Sequence, residues 1–151
     1  MIQKLQNDNI EMAKQIRSVF QLSYRVEAKL LKAVDFPPLK RPLEGYLNSN
    51  TLFYGNFKNK ELAGVIEIND NKDYTYINSL VVDPKFFRQG IANQLMEFLF
   101  KTFASNHFFV ETGLNNTPAT TLYKKFGFKE IKQWDTDHGV RKIKFERTII
   151  K

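Results

Sequence analysis

The run Phe86-Phe87-Arg88-Gln89-Gly90-Ile91-Ala92 joins a strand-like segment to an apolar helix, and its residue types suit the binding of an anion. Glycine lets the backbone approach a ligand closely, and the unpaired N–H groups and dipole of a helix's first turn favour phosphate. Residues 76–82 supply the strand, Asp83-Pro84 the turn, and Ile91, Leu95, Leu99 and Phe103 the buried stripe of the helix. A pyrophosphate would sit well at this junction. One glycine before a helix is also what an ordinary tight turn contains, so a second motif is needed to assign chemistry.

That motif lies further on, where Asn115-Asn116-Thr117-Pro118-Ala119 leads into Leu122-Tyr123-Lys124-Lys125-Phe126-Gly127-Phe128. Ala119, Leu122, Tyr123 and Phe126 share one helical face, on which Tyr123 reads equally as a core aromatic. In content, order and separation, the two motifs together resemble the GCN5-related N-acetyltransferase family. The resemblance covers most of the chain, with the motif-bearing part running from 77 to 128.

The resemblance implies an α/β fold on one mixed sheet of about seven strands, with about four helices. The fourth and fifth strands would splay apart to admit an acyl-coenzyme A, its pyrophosphate on the loop that opens the third helix. Leu80, Val81 and Val82 would then offer backbone groups to the pantetheine arm, as a strand edge pairs with another strand. Phe87, Arg88, Gln89, Gly90, Ile91 and Ala92 would form the phosphate loop. Phe87 departs from the pattern, standing where arginine or glutamine is usual, and Arg88 offers the charge one residue along. Ala92 replaces the commoner second glycine.

The same resemblance gives Tyr123 the role of general acid toward the thiolate leaving group, and places Asn116 against the cofactor arm. Glu111 occupies the position of a catalytic glutamate in some members that acetylate protein N-termini, with Glu67, acting through water, as second choice. Tyr24, Arg25, Glu27, Phe36, Tyr46 and Trp134 are candidate residues around the acceptor amine. Acetyl-CoA is the expected co-substrate. A non-catalytic acyl-CoA-binding regulatory domain, or an acetyltransferase acting on nucleic-acid-linked amines, would use the same motifs.

Composition is consistent with this. At 151 residues, 42% hydrophobic and 14% aromatic, the chain reads as one domain over 1–151 with a sizeable core. The formal charge of +7 favours anionic partners, yet the basic residues are scattered from Lys4 to Lys151 and no nucleic-acid motif is present. The absence of cysteine excludes disulfides, thiolate metal sites and a cysteine nucleophile. His107 and His138 are too few for a histidine-rich site, so no metal is expected. The N-terminus lacks an apolar signal core, and no apolar span approaches the ~20 residues that cross a bilayer, which points to the cytoplasm and away from a membrane.

The elements that must position these residues follow from periodicity. Residues 2–5 read as a strand, and Asn7-Asp8 as caps of a helix with Met12, Ala13, Ile16, Val19 and Phe20 on one face. A second helix is predicted over 21–33, with Leu22, Val26 and Leu30 as its stripe, ending before Pro37-Pro38. Pro42 and Gly45 frame a loop or short helix. Strands are predicted over 51–57, 61–68 and 76–82, then helix, strand 108–112, helix 118–126, and a terminal hairpin of 129–134 with 140–148. Ile149-Ile150 favour a homodimer through an exposed terminal strand.

Overall fold

In the computed structural model, which describes residues 1–149, seven strands and four α-helices follow one another. They are β1 (Ile2–Lys4), α1 (Ile10–Leu31), α2 (Leu43–Leu47), β2 (Leu52–Lys58), β3 (Glu61–Asp70), β4 (Thr75–Val82), α3 (Ile91–Thr102), β5 (His107–Gly113), α4 (Thr117–Lys125), β6 (Lys129–Asp135) and β7 (Arg141–Thr148). The fold class is the expected mixed α/β.

The two N-terminal helices expected from the sequence are one. No proline or glycine interrupts residues 10–31, so nothing stops the helix at residue 20. Asn9, rather than Asn7 or Asp8, caps it, its side chain accepting the Met12 N–H at 3.1 Å. Asn7 instead donates to the carbonyls of Tyr46 and Ser49 at 2.8 and 3.2 Å. Ala13, Ile16, Val19 and Phe20 are buried, whereas Leu22, Val26 and Leu30 are exposed at 37%, 41% and 46%. Spacing by four marked a real stripe, but not a core one.

All strands form one sheet in the order β1-β2-β3-β4-β5-β7-β6. Neighbours are antiparallel except β4 and β5, which run parallel and pair only at Thr75↔Phe108, Tyr76↔Phe109 and Ile77↔Val110. Beyond Ile77 the two strands part. Register between β3 and β4 slips there as well, between Glu67 opposite Ser79 and Ile68 opposite Ile77, which leaves Asn78 as the extra residue of a bulge. A bulge bends and twists its strand, so it helps to open the gap.

A core of Ile66, Ile68, Ile77, Leu95, Leu99 and Phe108 lies on one side of the sheet beneath α3, and a second of Ile16, Phe20, Tyr46, Phe53, Val65 and Val81 on the other, beneath α1 and α2. These fix the two walls of the gap. The terminal strand β7 lies between β5 and β6, so both its edges are paired and the exposed-edge argument for a homodimer does not hold at Ile149. Ile149 itself donates to the Asn106 carbonyl at 2.7 Å, and Ile150 lies outside the described residues. The free edges are β1 and β6, and β6 carries Lys129 and Lys132, which discourage strand pairing.

Candidate active site

The parting of β4 and β5 opens a cleft of about 850 Å³ that runs between α1 and the first turns of α3 and α4. At one end lies the glycine loop. Asp83 accepts the Lys85 N–H and begins a single 3-10 turn over Pro84–Phe86, which places Phe86 in the core. Arg88 then takes a left-handed conformation at φ 62° and Gly90 another at φ 78°. For Gly90 this is without strain; for Arg88 it is a local cost of the kind that accumulates at functional sites.

Helix α3 starts immediately after Gly90, and its first intrahelical bond runs from Gln94 N–H to the Gly90 carbonyl at 3.0 Å. The N–H groups of residues 91–93 therefore have no partner within the helix. Gly90, Ile91 and Ala92 line the cleft together with Phe87 and Arg88. Lys125 holds Asn93 at 3.1 Å, adding positive charge beside this end. Gln89 faces away, joined to Lys58 and, at 3.4 Å, to the Lys85 carbonyl.

Along the cleft, Leu80 and Val82 line the wall, while the Val81 side chain is 1% exposed and packs in the core under α1. Val82 N–H donates to Ser23 Oγ on α1 at 3.3 Å. A strand-edge donor thus faces the gap and not another strand.

At the far end, Asn116 caps α4, its side-chain oxygen accepting the Ala119 N–H at 3.3 Å. Its amide donates to Glu27 Oε1 at 2.7 Å, and Thr112 donates to the same oxygen at 3.3 Å. Burial pushes the Glu27 carboxyl above the usual carboxylate range, against the opposing pull of these two bonds and of Lys142. Tyr123 lines the cleft from α4, held between the rings of Phe128 and Phe145 at 5.7 and 6.1 Å. Burial first, then the nearby Glu27 charge, drive its phenol well above the ordinary value, so it stays protonated. Among the described residues the Tyr123 hydroxyl has no hydrogen-bond partner.

Glu111 also reaches the cleft, but both its oxygens are engaged. Tyr76 donates to Oε2, and Lys142 Nζ lies 3.3 Å from Oε1. Tyr24 donates to Ser79 Oγ at 3.1 Å, and its own phenol is pushed up by burial and by Glu27. Phe36 packs on Tyr24 and on His138, and the Val34 N–H donates to the His138 carbonyl at 2.9 Å, tying the end of α1 to the β6–β7 turn across the cleft.

Other sequence candidates lie beside the cleft. Glu67 is buried under Arg41, which meets it at 2.8 and 3.0 Å, with Thr51 at 2.7 Å. Trp134 stands on β6 beneath Lys132 and Lys142, at 5.3 and 5.9 Å from its ring. Arg25 is exposed and Tyr46 fully buried. Ser79, Thr112, His138 and Lys142 reach the cleft without having been singled out for it; only the strand register brings Lys142 level with Gly113. No group of three or more His, Asp or Glu that could hold a metal occurs among the described residues, and no helix among them is long and apolar enough to cross a membrane.

Residues 27–149 match the family described as acetyltransferase (GNAT) domain. The chain belongs to the GNAT acetyltransferase family. It is 34% identical over 141 residues to the UPF0157 protein YqkA of Bacillus subtilis, covering 93% of this chain and 41% of that protein. It is 39% identical over 79 residues to a streptothricin acetyltransferase of Escherichia coli, covering 50% of this chain and 45% of that one. The chain thus spans less than half the length of these curated relatives. Among solved structures, the PaiA N-acetyltransferase of Thermoplasma acidophilum in complex with coenzyme A shares the fold, with a TM-score of 0.74 at 19% identity over 99% of both chains. The coenzyme A complex shows that a protein of this fold holds that ligand.

Proposed function

We propose that residues 1–151 act as one N-acetyltransferase domain, moving an acetyl group from acetyl-CoA to a primary amine by direct attack with both reactants bound. One observation carries the reading: a single cleft has unpaired helix-start N–H groups at one end, a β4 edge that β5 leaves unpaired beyond Ile77 along it, and a protonated phenol at the other. On this reading the pyrophosphate meets the 87–92 loop, with Arg88 supplying the charge that Phe87 lacks. The pantetheine arm follows the backbone of Leu80, Val81 and Val82, and contacts Asn116.

Attack of the amine on the thioester forms the C–N bond and breaks the C–S bond. Tyr123 gives its proton to the departing thiolate, a donor with pKa about 10 serving a leaving group of about 8.5 before either is perturbed. Backbone N–H groups of β4 that face the gap steady the oxyanion. A carboxylate in the cleft takes the proton of the amine, Glu111 being the residue at the family's position. Tyr24, Glu27 and Phe36 surround the acceptor, and the streptothricin acetyltransferase relative makes that cationic amine the first to try.

The test is calorimetric titration with acetyl-CoA, using desulfo-coenzyme A and ATP as controls, followed by a thiol-release screen of amines that includes streptothricin. Micromolar, stoichiometric binding shared by the desulfo analogue but not by ATP, with turnover on at least one amine, is the expected result. Binding without turnover across the panel points to a regulatory acyl-CoA-binding domain, and no binding removes the reading.

A further inference from the structure

We propose that Glu27 on α1, rather than Glu111 on β5, is the carboxylate that takes the acceptor's proton. This rests on the acetyl-transfer reading above. The two residues differ in what their oxygens are already doing. Glu111 accepts from Tyr76 at one oxygen and is paired with Lys142 at the other, so both lone-pair sets are committed to donors. An incoming ammonium would have to displace one of these donors before it could reach a Glu111 oxygen.

Glu27 is held at one oxygen only. Asn116 and Thr112 both donate to Oε1, from 2.7 and 3.3 Å, which fixes the rotamer, and Oε2 has no hydrogen-bond partner among the described residues. The side chain lines the cleft, so Oε2 is the free acceptor that an ammonium would meet. Asn116 is also the cap of the helix that carries Tyr123, so base and acid are referenced to the same element. The groups facing Glu27 are Tyr24 on its own helix, Tyr123 on α4 and Lys142 on β7, with Lys142 shared with Glu111. Burial raises Glu27 toward the working range of a general base.

Protons and bonds balance as follows. R–NH₃⁺ gives a proton to Glu27, which passes it to water. The free amine attacks the acetyl carbon, the C–N bond forms and the C–S bond breaks, and Tyr123 protonates the thiolate. The second nitrogen proton leaves through the regenerated Glu27 carboxylate and restores the Tyr123 phenol. One proton is released per acetyl group transferred.

Glu27→Gln tests this cleanly, since a glutamine oxygen still accepts from Asn116 and Thr112 and only basicity is lost. We expect kcat to fall about 100-fold or more, with acetyl-CoA affinity by calorimetry unchanged within about threefold and the acidic limb of the pH–rate profile abolished, while Glu111→Gln loses less than about tenfold. Glu27→Gln turning over within threefold of wild type, or Glu111→Gln losing more, overturns the proposal. Lack of turnover by wild type on every amine refutes the acetyl-transfer reading instead. Carboxyl ¹³C titration, with the resonance assigned by Glu27→Gln, then decides Glu27 by itself: a carboxyl titrating with the exposed glutamates overturns the proposal, and one titrating above them supports it.

Discussion

Gly90→Ala separates the two things asked of the glycine loop. Gly90 sits at φ 78°, where a Cβ costs roughly 1–2 kcal/mol, and an added Cβ there meets no atom within 4 Å. The steric cost is therefore backbone strain alone. Replacing glycine also lowers the entropy of the unfolded chain, which returns about 0.5–1 kcal/mol. Net destabilisation is about 0.5–1 kcal/mol, a fall in Tm of about 1–4 °C for a chain of this size. The open space that spares stability is the space given to pyrophosphate, so acetyl-CoA affinity should fall about tenfold or more, or 1.4 kcal/mol. Gly55→Ala inverts the ranking: its Cβ lies 2.6 Å from Leu62 Cδ1 and 2.9 Å from Leu5 Cδ2, neither of which lines the cleft. Overpacking of this kind costs about 1–3 kcal/mol while leaving the 88–90 backbone as it is. Denaturation and calorimetry on both variants give the answer. Undiminished acetyl-CoA binding by Gly90→Ala would refute the phosphate placement, and a stability loss above about 3 kcal/mol would refute the account of the loop as free of contacts.

Arg88→Ala keeps the left-handed backbone but removes the charge, so calorimetry should give acetyl-CoA binding weaker by about tenfold, with a steeper effect at low salt. Tyr123→Phe leaves the ring packing on Phe128 and Phe145 and removes the proton donor; kcat should drop about 100-fold or more with little change in cofactor affinity, as steady-state kinetics and calorimetry would show. Glu27 holds its proton more tightly folded than unfolded, so its contribution to stability is complete below the usual carboxylate pKa and is lost as pH rises through the raised value. Glu27→Gln should accordingly match wild type in melting temperature near about pH 4 and exceed it near about pH 8. Glu67→Ala strips a buried partner from Arg41, whose guanidinium also sits 4.2 Å from the Tyr46 ring, and chemical denaturation should register a loss of about 3–5 kcal/mol.

The glycine loop and the start of α4 were legible because their information is local. Gly90 and the apolar stripe behind it, and Asn116 through Tyr123 on one short helix, each lie within a dozen residues and specify their own turn, cap and face. Periodicity failed in α1 for a physical reason. Leu22, Val26 and Leu30 repeat every four residues as a core stripe would, but all three are exposed, and Val26 and Leu30 form part of the wall of the open cleft. An apolar row on a cleft wall and one in a core have the same spacing. The sequence placed Tyr24, Glu27 and Phe36 as candidates but hid their pairings across the cleft, because those contacts are long-range. Asn116 and Glu27 are 89 residues apart, and Tyr24 and Ser79 are 55 apart. Only the parting of β4 from β5, with α1 laid against the gap, makes them neighbours.

The departure at Phe87 has its own structural logic. Phe86 is buried and anchors the loop, with Lys85 over its ring at 5.4 Å, and the next side chain is thereby turned outward to the cleft wall at 41% exposure. A cation at position 87 would occupy that wall, where the phenylalanine now offers an apolar surface. The charge is displaced to Arg88, whose left-handed backbone swings its side chain back to the same cleft. Chain direction here is fixed on both sides, by the Phe86 anchor and by the Gly90 start of α3, so a strained non-glycine residue between them persists without help from its own conformation. Strain at Arg88 and the loss of charge at Phe87 are thus two parts of one arrangement. On the acetyl-CoA reading proposed above, the loop keeps its cation at the expense of backbone strain, while the N–H groups of residues 91–93, which depend on no side chain, remain free to meet the pyrophosphate.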